Sequence, residues 1–178
     1  MKNLLIAAIL LPVLSLVAAV EETSKPQKAV AILQPTEGSK VKGTISFTKT
    51  EGGIRVEGEV SGLTPGKHGF HIHEFGDLTS ANGSAAGGHF NPGGHPHGGP
   101  DSEHRHAGDF GNIEANGDGV AKVNFVDKLI TLEGEKTILG RGLVVHAKAD
   151  DLKTQPSGDA GDRVAVGVIG IAKGPEKK

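Results

Sequence analysis

The chain contains no cysteine. Disulfides, thiolate nucleophiles and Cys-ligated zinc or iron–sulfur sites are therefore excluded, and any transition metal must be held by histidines and carboxylates. Aromatic residues make up only 3% of the 178 positions while glycine accounts for 28 of them, which suits one domain with many tight turns better than a helical bundle. Charge of one sign is also missing. A formal net charge of −2 with a pI near 6.5 leaves no basic excess to gather nucleic acid or an anionic membrane surface, so any attraction for an anion must be local.

The one long apolar run opens the chain. In "MKNLLIAAILLPVLSLVAAVEE" a single Lys2 precedes apolar residues that break at Pro12 and end in the small-residue pattern Val17, Ala18, Ala19. This reads as a signal peptide over residues 1–19, and the short, Pro-interrupted run argues against the alternative of a membrane anchor. The absence of a following cysteine excludes a lipid-modified one. Export to a periplasmic or extracellular compartment is the expectation, with no membrane attachment after cleavage. Residues 20–28, ending in "EETSKPQK", read as a polar linker, residues 29–173 as the domain, and 174–178, "GPEKK", as a tail.

Within the domain, "KAVAILQ", "VKGTISFTKT", "IRVEGEVSG", "HGFHIHE", "GVAKVNFVD", "GLVVHAK" and "RVAVGVIGIA" are short, rich in β-branched residues, and alternating or continuously apolar. A further short strand falls near "GDFGNIE". Turn chemistry at "TEGS", "EGG", "TPGK" and "ANGDG" separates them. No convincing amphipathic helix follows the leader, so the expected fold is all-β, an antiparallel barrel or sandwich of up to eight strands. Two connections, Glu74 to about Gly108 and Lys148 to Asp162, are too long for hairpins, and loops of that length in a compact domain are functional or disordered. The first is so rich in Gly, His and Pro that something other than apolar burial, metal ligation above all, is expected to order it.

Eight of the nine histidines fall between His68 and His106, and the ninth is His146 at the end of an apolar strand. Residues two apart on a strand project from one face, so His71 and His73 in "GFHIHEFGD" can present their rings to a common point. His89, His97, His106 and Asp109 lie far enough apart for a flexible loop to wrap a second ion, and a His3Asp set suits tetrahedral zinc. Imidazoles equally suit Cu(II), and composition alone assigns neither metal. The bland alternative is a solvated, metal-scavenging tract. Against it stand the strand positions of His71, His73 and His146, and a carboxylate, Asp109, closing the loop cluster.

"GFHIHEFGD", "GGHFNPGGHPHGGPDSEHRHAGDFGNI", "LVVHAKADDL" and "AGDRVAVGVIGIA", in that order over about residues 29–173, resemble the Cu,Zn superoxide dismutase family in its eukaryotic-type pattern. The resemblance implies an eight-stranded antiparallel Greek-key barrel, similar to an immunoglobulin-like sandwich, with long metal-binding and electrostatic loops. It implies one copper per subunit on His71, His73, His89 and His146, and one zinc per subunit on His89, His97, His106 and Asp109, the His89 imidazole bridging the two. Asp150 matches the carboxylate that hydrogen-bonds His71 and His97, and Arg163 the active-site arginine. Lys148 matches a position that helps attract the anion. His68, His95 and His104 match no ligand position; His68 reads as a packed or hydrogen-bonding residue, His95 and His104 as exposed. The implied activity is dismutation of superoxide to dioxygen and hydrogen peroxide, with Arg163 and His89 as catalytic residues. A non-enzymatic copper/zinc carrier or buffer of the same fold is the alternative.

The chain departs from that family in two places. The family's disulfide between the first long loop and the last strand cannot form, because Val166 stands at the terminal-strand position and "DLTSANGSAAGG" supplies no partner. Such a tether is worth roughly 3–5 kcal/mol in the chain-entropy model. The loop between His146 and Arg163 is shorter than the family pattern and lacks its charged stretch, with Ser157 at a channel position usually held by threonine. Homodimerisation is expected from the resemblance, "GVIGIA" being either apolar contact surface or simply core strand.

Overall fold

The computed structural model describes residues 25–174. The leader, residues 20–24 of the linker and residues 175–178 of the tail lie outside the described residues. Among the described residues eight strands form, β1 (Lys28–Pro35), β2 (Lys42–Thr50), β3 (Gly53–Ser61), β4 (Gly66–His73), β5 (Asp109–Ala115), β6 (Ala121–Asp127), β7 (Gly142–His146) and β8 (Arg163–Ile171), with one short 3₁₀ turn at Ser84–Ala86. They close into a barrel in the order β1-β2-β3-β6-β5-β4-β7-β8, every neighbouring pair antiparallel. The expected all-β Greek-key barrel is what forms. Lys28, the last residue of the linker span and the first of the "KAVAILQ" segment, opens β1 and pairs with Thr48.

Alternation sets which side of each strand is buried. Ile45 and Phe47 of β2, and Ile54, Val56 and Val60 of β3, point into one core with Phe70 and Ile72 of β4 and Phe110 of β5. The β2–β3 hairpin turns through two residues, since Thr50 pairs with Gly53. Gly53 sits at φ 133°, and a Cβ there would lie 2.2 Å from the Asp127 carbonyl.

β4 breaks the alternation, being buried continuously from His68 to His73. Phe70 and Ile72 face the core; His71 and His73 face outward and are covered by the loops 74–108 and 147–162. The first loop is strapped to β4 by backbone bonds from Ile72 N to Gly108 O (2.9 Å), Phe90 N to Ile72 O (2.8 Å) and Glu74 N to Gly88 O (2.8 Å). Apolar burial does take part in ordering it, against the compositional reading: Phe90 and Ala107 join the core, and Ala86 packs with Val144 and Val166. Where the family would carry its cystine, Val166 fills the space itself, its Cγ2 only 2.7 Å from where a Cβ on Gly83 would stand. The guanidinium of Arg141 lies 3.6 Å from the centre of the Phe90 ring, holding it from outside.

Two features were not read from the sequence. Residues 128–141 form a third long connection, closed by a bridge between Thr131 and Thr137, whose Ile130, Leu132 and Ile138 plug the core. Arg105 of the first loop is buried against Asp127 at the end of β6, and its guanidinium also donates to the carbonyls of His106 and Ala107. Removing one member of a buried pair strands the other's charge. Arg105→Met is therefore expected to destabilise the protein by about 3–5 kcal/mol in urea denaturation, and Arg105→Met/Asp127→Asn by less than Arg105→Met alone.

Candidate metal centre

Asp109, the first residue of β5, is fully buried and gathers the loop around itself. Its Oδ1 lies 2.7 Å from His89 Nδ1 and 3.1 Å from His106 Nδ1. Its Oδ2 accepts the backbone N–H groups of Gly98 (3.0 Å) and His106 (3.1 Å) and stands 3.0 Å from His97 Nδ1. One donor atom from each of His89, His97, His106 and Asp109 falls within 4.8 Å of all the others, and the same holds for His71, His73, His89 and His146.

What makes these sets suited to a cation is how each ring spends its two nitrogens. An imidazole with one N–H donated outward keeps a lone pair on the other nitrogen. His73 Nδ1 donates to Gly87 O (2.9 Å) and His146 Nδ1 to Gly161 O (3.0 Å), leaving their Nε2 atoms 3.3 Å apart. His71 Nε2 and His97 Nε2 bind the two oxygens of Asp150 at 2.8 and 3.0 Å. The remaining nitrogens of those rings, His71 Nδ1 and His97 Nδ1, are buried without a hydrogen-bond partner, and so is His89 Nε2; the His97 Nδ1 approach to Asp109 lacks hydrogen-bond geometry. Orphaned buried acceptors are costly, and their convergence is what a bound cation would satisfy. The His89 ring, 4.1 Å between centres from His71 and 5.3 Å from His97, belongs to both sets, with Nδ1 at Asp109 and Nε2 buried without a partner.

The residues that hold Asp150 were not legible from the sequence. Asn112 of β5 and Asp150 exchange two bonds, Nδ2 to Asp150 O (2.9 Å) and Asp150 N to Oδ1 (2.7 Å). Gln155 does the same for the His97 backbone, at 2.8 and 2.9 Å. Gly158, at φ 71°, lies so close that a Cβ would meet Asp150 Oδ1 at 1.8 Å. Asn112 stands inside the quoted "GDFGNI", but nothing local marks its partner.

Arg163, at the start of β8, is half-buried and donates to Gly83 O and Gly87 O, each at 2.5 Å. Gly87 O thus binds both Arg163 and His73. Lys148 lies in the second loop, its stem against Gly161 and its backbone bonded to Gly69 (2.8 Å), and Ser157 is half-buried there. His68 belongs to neither set: its Nδ1 donates to His146 O at 2.8 Å and its Nε2 meets Thr64 at 2.9 Å, pinning the end of β7 to β4. His95 and His104 are exposed on the loop.

The model of the copper/zinc superoxide dismutase family matches residues 41–169. The chain belongs to that family. A solved structure of the clock protein EA4 is similar at 41% identity and a TM-score of 0.77, the match covering 84% of this chain and 97% of that one. Copper and zinc are the metals usual to the family, and the two donor sets suit them, one all-imidazole and one His3Asp.

Electrostatics keeps the bare nitrogens available. Burial pushes His71 down to about 4 and His146 to about 3, and holds His73 well below its ordinary value, so all three stay neutral at physiological pH. His97 goes the other way; burial would lower it, but the carboxylates of Asp109 and Asp150 outweigh that and raise it to about 9. For those two carboxyl groups burial acts upward, yet the hydrogen bond from His89, the close His97 ring and the Gly98 N–H at Asp109, and the hydrogen bonds from His71 and His97 at Asp150, hold both well below the usual range. Below the free-histidine value of 6.5 the unfolded chain takes up protons at positions 71, 73 and 146 that the metal-free fold refuses, so acid favours unfolding. His97 contributes in the opposite sense, fully below 6.5 and with loss as pH rises through about 9. Metal-free protein is therefore expected to lose melting temperature steadily from pH 6.5 toward 4, the four lowered histidines, His106 among them, outnumbering the one raised; a flat profile over that interval would contradict the assignment.

Proposed function

We propose that the protein dismutates superoxide, converting two superoxide anions and two protons to dioxygen and hydrogen peroxide. The observation that carries the reading is the His89 ring, with one nitrogen in each of two donor sets and the Nε2 side buried without a partner. Copper held by His71, His73, His89 and His146 would supply one-electron redox chemistry, and zinc held by His89, His97, His106 and Asp109 a fixed charge that orients the shared ring. Everything else falls to the chain. Asp150 fixes the orientation of His71 and His97 together, and such outer contacts set ligand basicity. His89 Nε2 faces the His71 side with no competing hydrogen bond, so it can hold and return a proton there.

Arg163 supplies the anion's binding contact. Two of its five N–H donors are committed to the carbonyls of Gly83 and Gly87, which fixes the plane of the guanidinium and leaves donors for a small anion. The Gly87 carbonyl that accepts from Arg163 also accepts from His73, which supports a place for Arg163 beside that donor set. In a chain of net charge −2 this local field would draw superoxide inward. The carrier or buffer reading needs the donor sets but not this arginine.

Loaded with one copper and one zinc per chain, the protein is expected to sustain superoxide removal over many turnovers. Arg163→Gln should keep its metal content, lose about tenfold or more in rate and show a flatter dependence on ionic strength. Stoichiometric bleaching without turnover would favour the carrier, and an unchanged Arg163→Gln rate would remove the arginine from the mechanism.

We further propose export, with cleavage after Ala19, and a homodimer through the neighbouring β1 and β8, where Ile32, Val168 and Ile171 are 54%, 38% and 68% exposed. Mass measurements on exported material test both. The intact chain should begin at Val20, and light scattering should give twice its mass; a retained leader sinks the first proposal and a monomer the second.

A further inference from the structure

The histidine pattern of the first loop repeats: His95-Pro96-His97 on one arm, His104-Arg105-His106 on the other. The inner members, His97 and His106, are buried beside Asp109. The outer members, His95 and His104, are exposed and belong to neither donor set, yet they too face one another, with ring centres 5.4 Å apart and planes at 45°. The inner pair stands at 5.7 Å, and His73 and His146 at 5.5 Å. Two imidazoles bound to one ion by bonds of about 2.0–2.1 Å at a tetrahedral angle place their ring centres roughly 5 Å apart. The separation of the outer pair fits that spacing.

We propose that His95 and His104 form a third, solvent-accessible site for a first-row divalent transition ion, Zn(II) or Cu(II), on the outer face of the loop. The arms hold both backbones in place. Asn91 accepts from His95 N (3.0 Å) and donates to His95 O (2.8 Å), and the Ser102 hydroxyl donates to His104 O (3.0 Å). The His95 ring folds back over Gly93, where a Cβ would meet its Cδ2 at 2.8 Å and its Nε2 at 2.9 Å; glycine leaves the ring room to reach its partner. Asp101 and Glu103 give the second arm negative charge, and water completes the coordination. With no thiol in the chain, imidazole pairs are the strongest exposed ligands for such an ion. An ion here would clamp the two arms together from outside.

The test uses untagged protein already holding copper and zinc, dialysed against Zn(II) and analysed for metal per chain. A third, chelator-removable equivalent is expected in the parent. His95→Gln and His104→Gln should each abolish it entirely while retaining the two interior metals, and Gly93→Ala should weaken it by displacing the His95 ring. Absence of a third equivalent in the parent overturns the proposal. So does a variant that keeps it or loses only half, the result expected of two histidines binding independently.

Discussion

Six imidazoles packed into one buried region cannot all carry protons, and that constraint orders the rest of the site. His71, His73 and His146 each give one nitrogen to a protein group and leave the other bare, because a charge on them would be buried among like charges; His97, between two carboxylates, goes the other way. The chain meets this with three kinds of acceptor. Carbonyls of Gly87 and Gly161 take the protons of His73 and His146, while the two oxygens of Asp150 take those of His71 and His97. Asp109 serves the loop side, collecting His89 and His106 on one oxygen. For His71, His73 and His146 the direction of the tether decides which nitrogen is left for a cation.

Asp150 is where the two donor sets become mechanically one. Its carboxylate reaches His71 of β4 and His97 of the first loop from a position in the second, so a shift of either loop is felt in both sets. Its freedom is removed in turn by the exchange with Asn112, by the Leu152 N–H at 2.7 Å and by the close backbone of Gly158. Gln155 fixes the His97 backbone from the same loop. The second loop thus braces histidines of both sets.

Much of this was readable without coordinates, for a physical reason. A strand's period of two places His71 and His73 on one face whatever the rest of the chain does, and the alternation around Ile45, Phe47 and Val56 fixes the inward face of each hairpin. Partnerships that exist only after the barrel closes were not readable. Asn112 meets Asp150 across 38 positions, Gln155 meets His97 across 58, and Arg105 meets Asp127 across 22. Each is a polar residue of a common kind, with no local pattern that names its partner. The plug formed by Ile130, Leu132 and Ile138 was missed differently, since a buried loop shows neither helical nor strand period.

The absence of a cystine looks at first like a debt left entirely to metal binding, but the attachments of the first loop say otherwise. Its two ends are held by the protein itself: Ala86 and Phe90 on one side with Val166 packed against Gly83, and Ala107, the Gly108 strap and the Arg105–Asp127 pair on the other. Between these anchors, residues 91–96 and 99–104 are largely exposed, and among their few fixed points are His97 and Gly98, bonded to Gln155, Asp150 and Asp109. A ligand that binds only the closed arrangement stabilises it by mass action, so an ion at His97, His106 and Asp109 acts chiefly on this middle stretch. Packing without covalent closure can hold the loop ends in any redox environment, while the central turn, which presents His97 and His106, is the part on which a bound ion would act most.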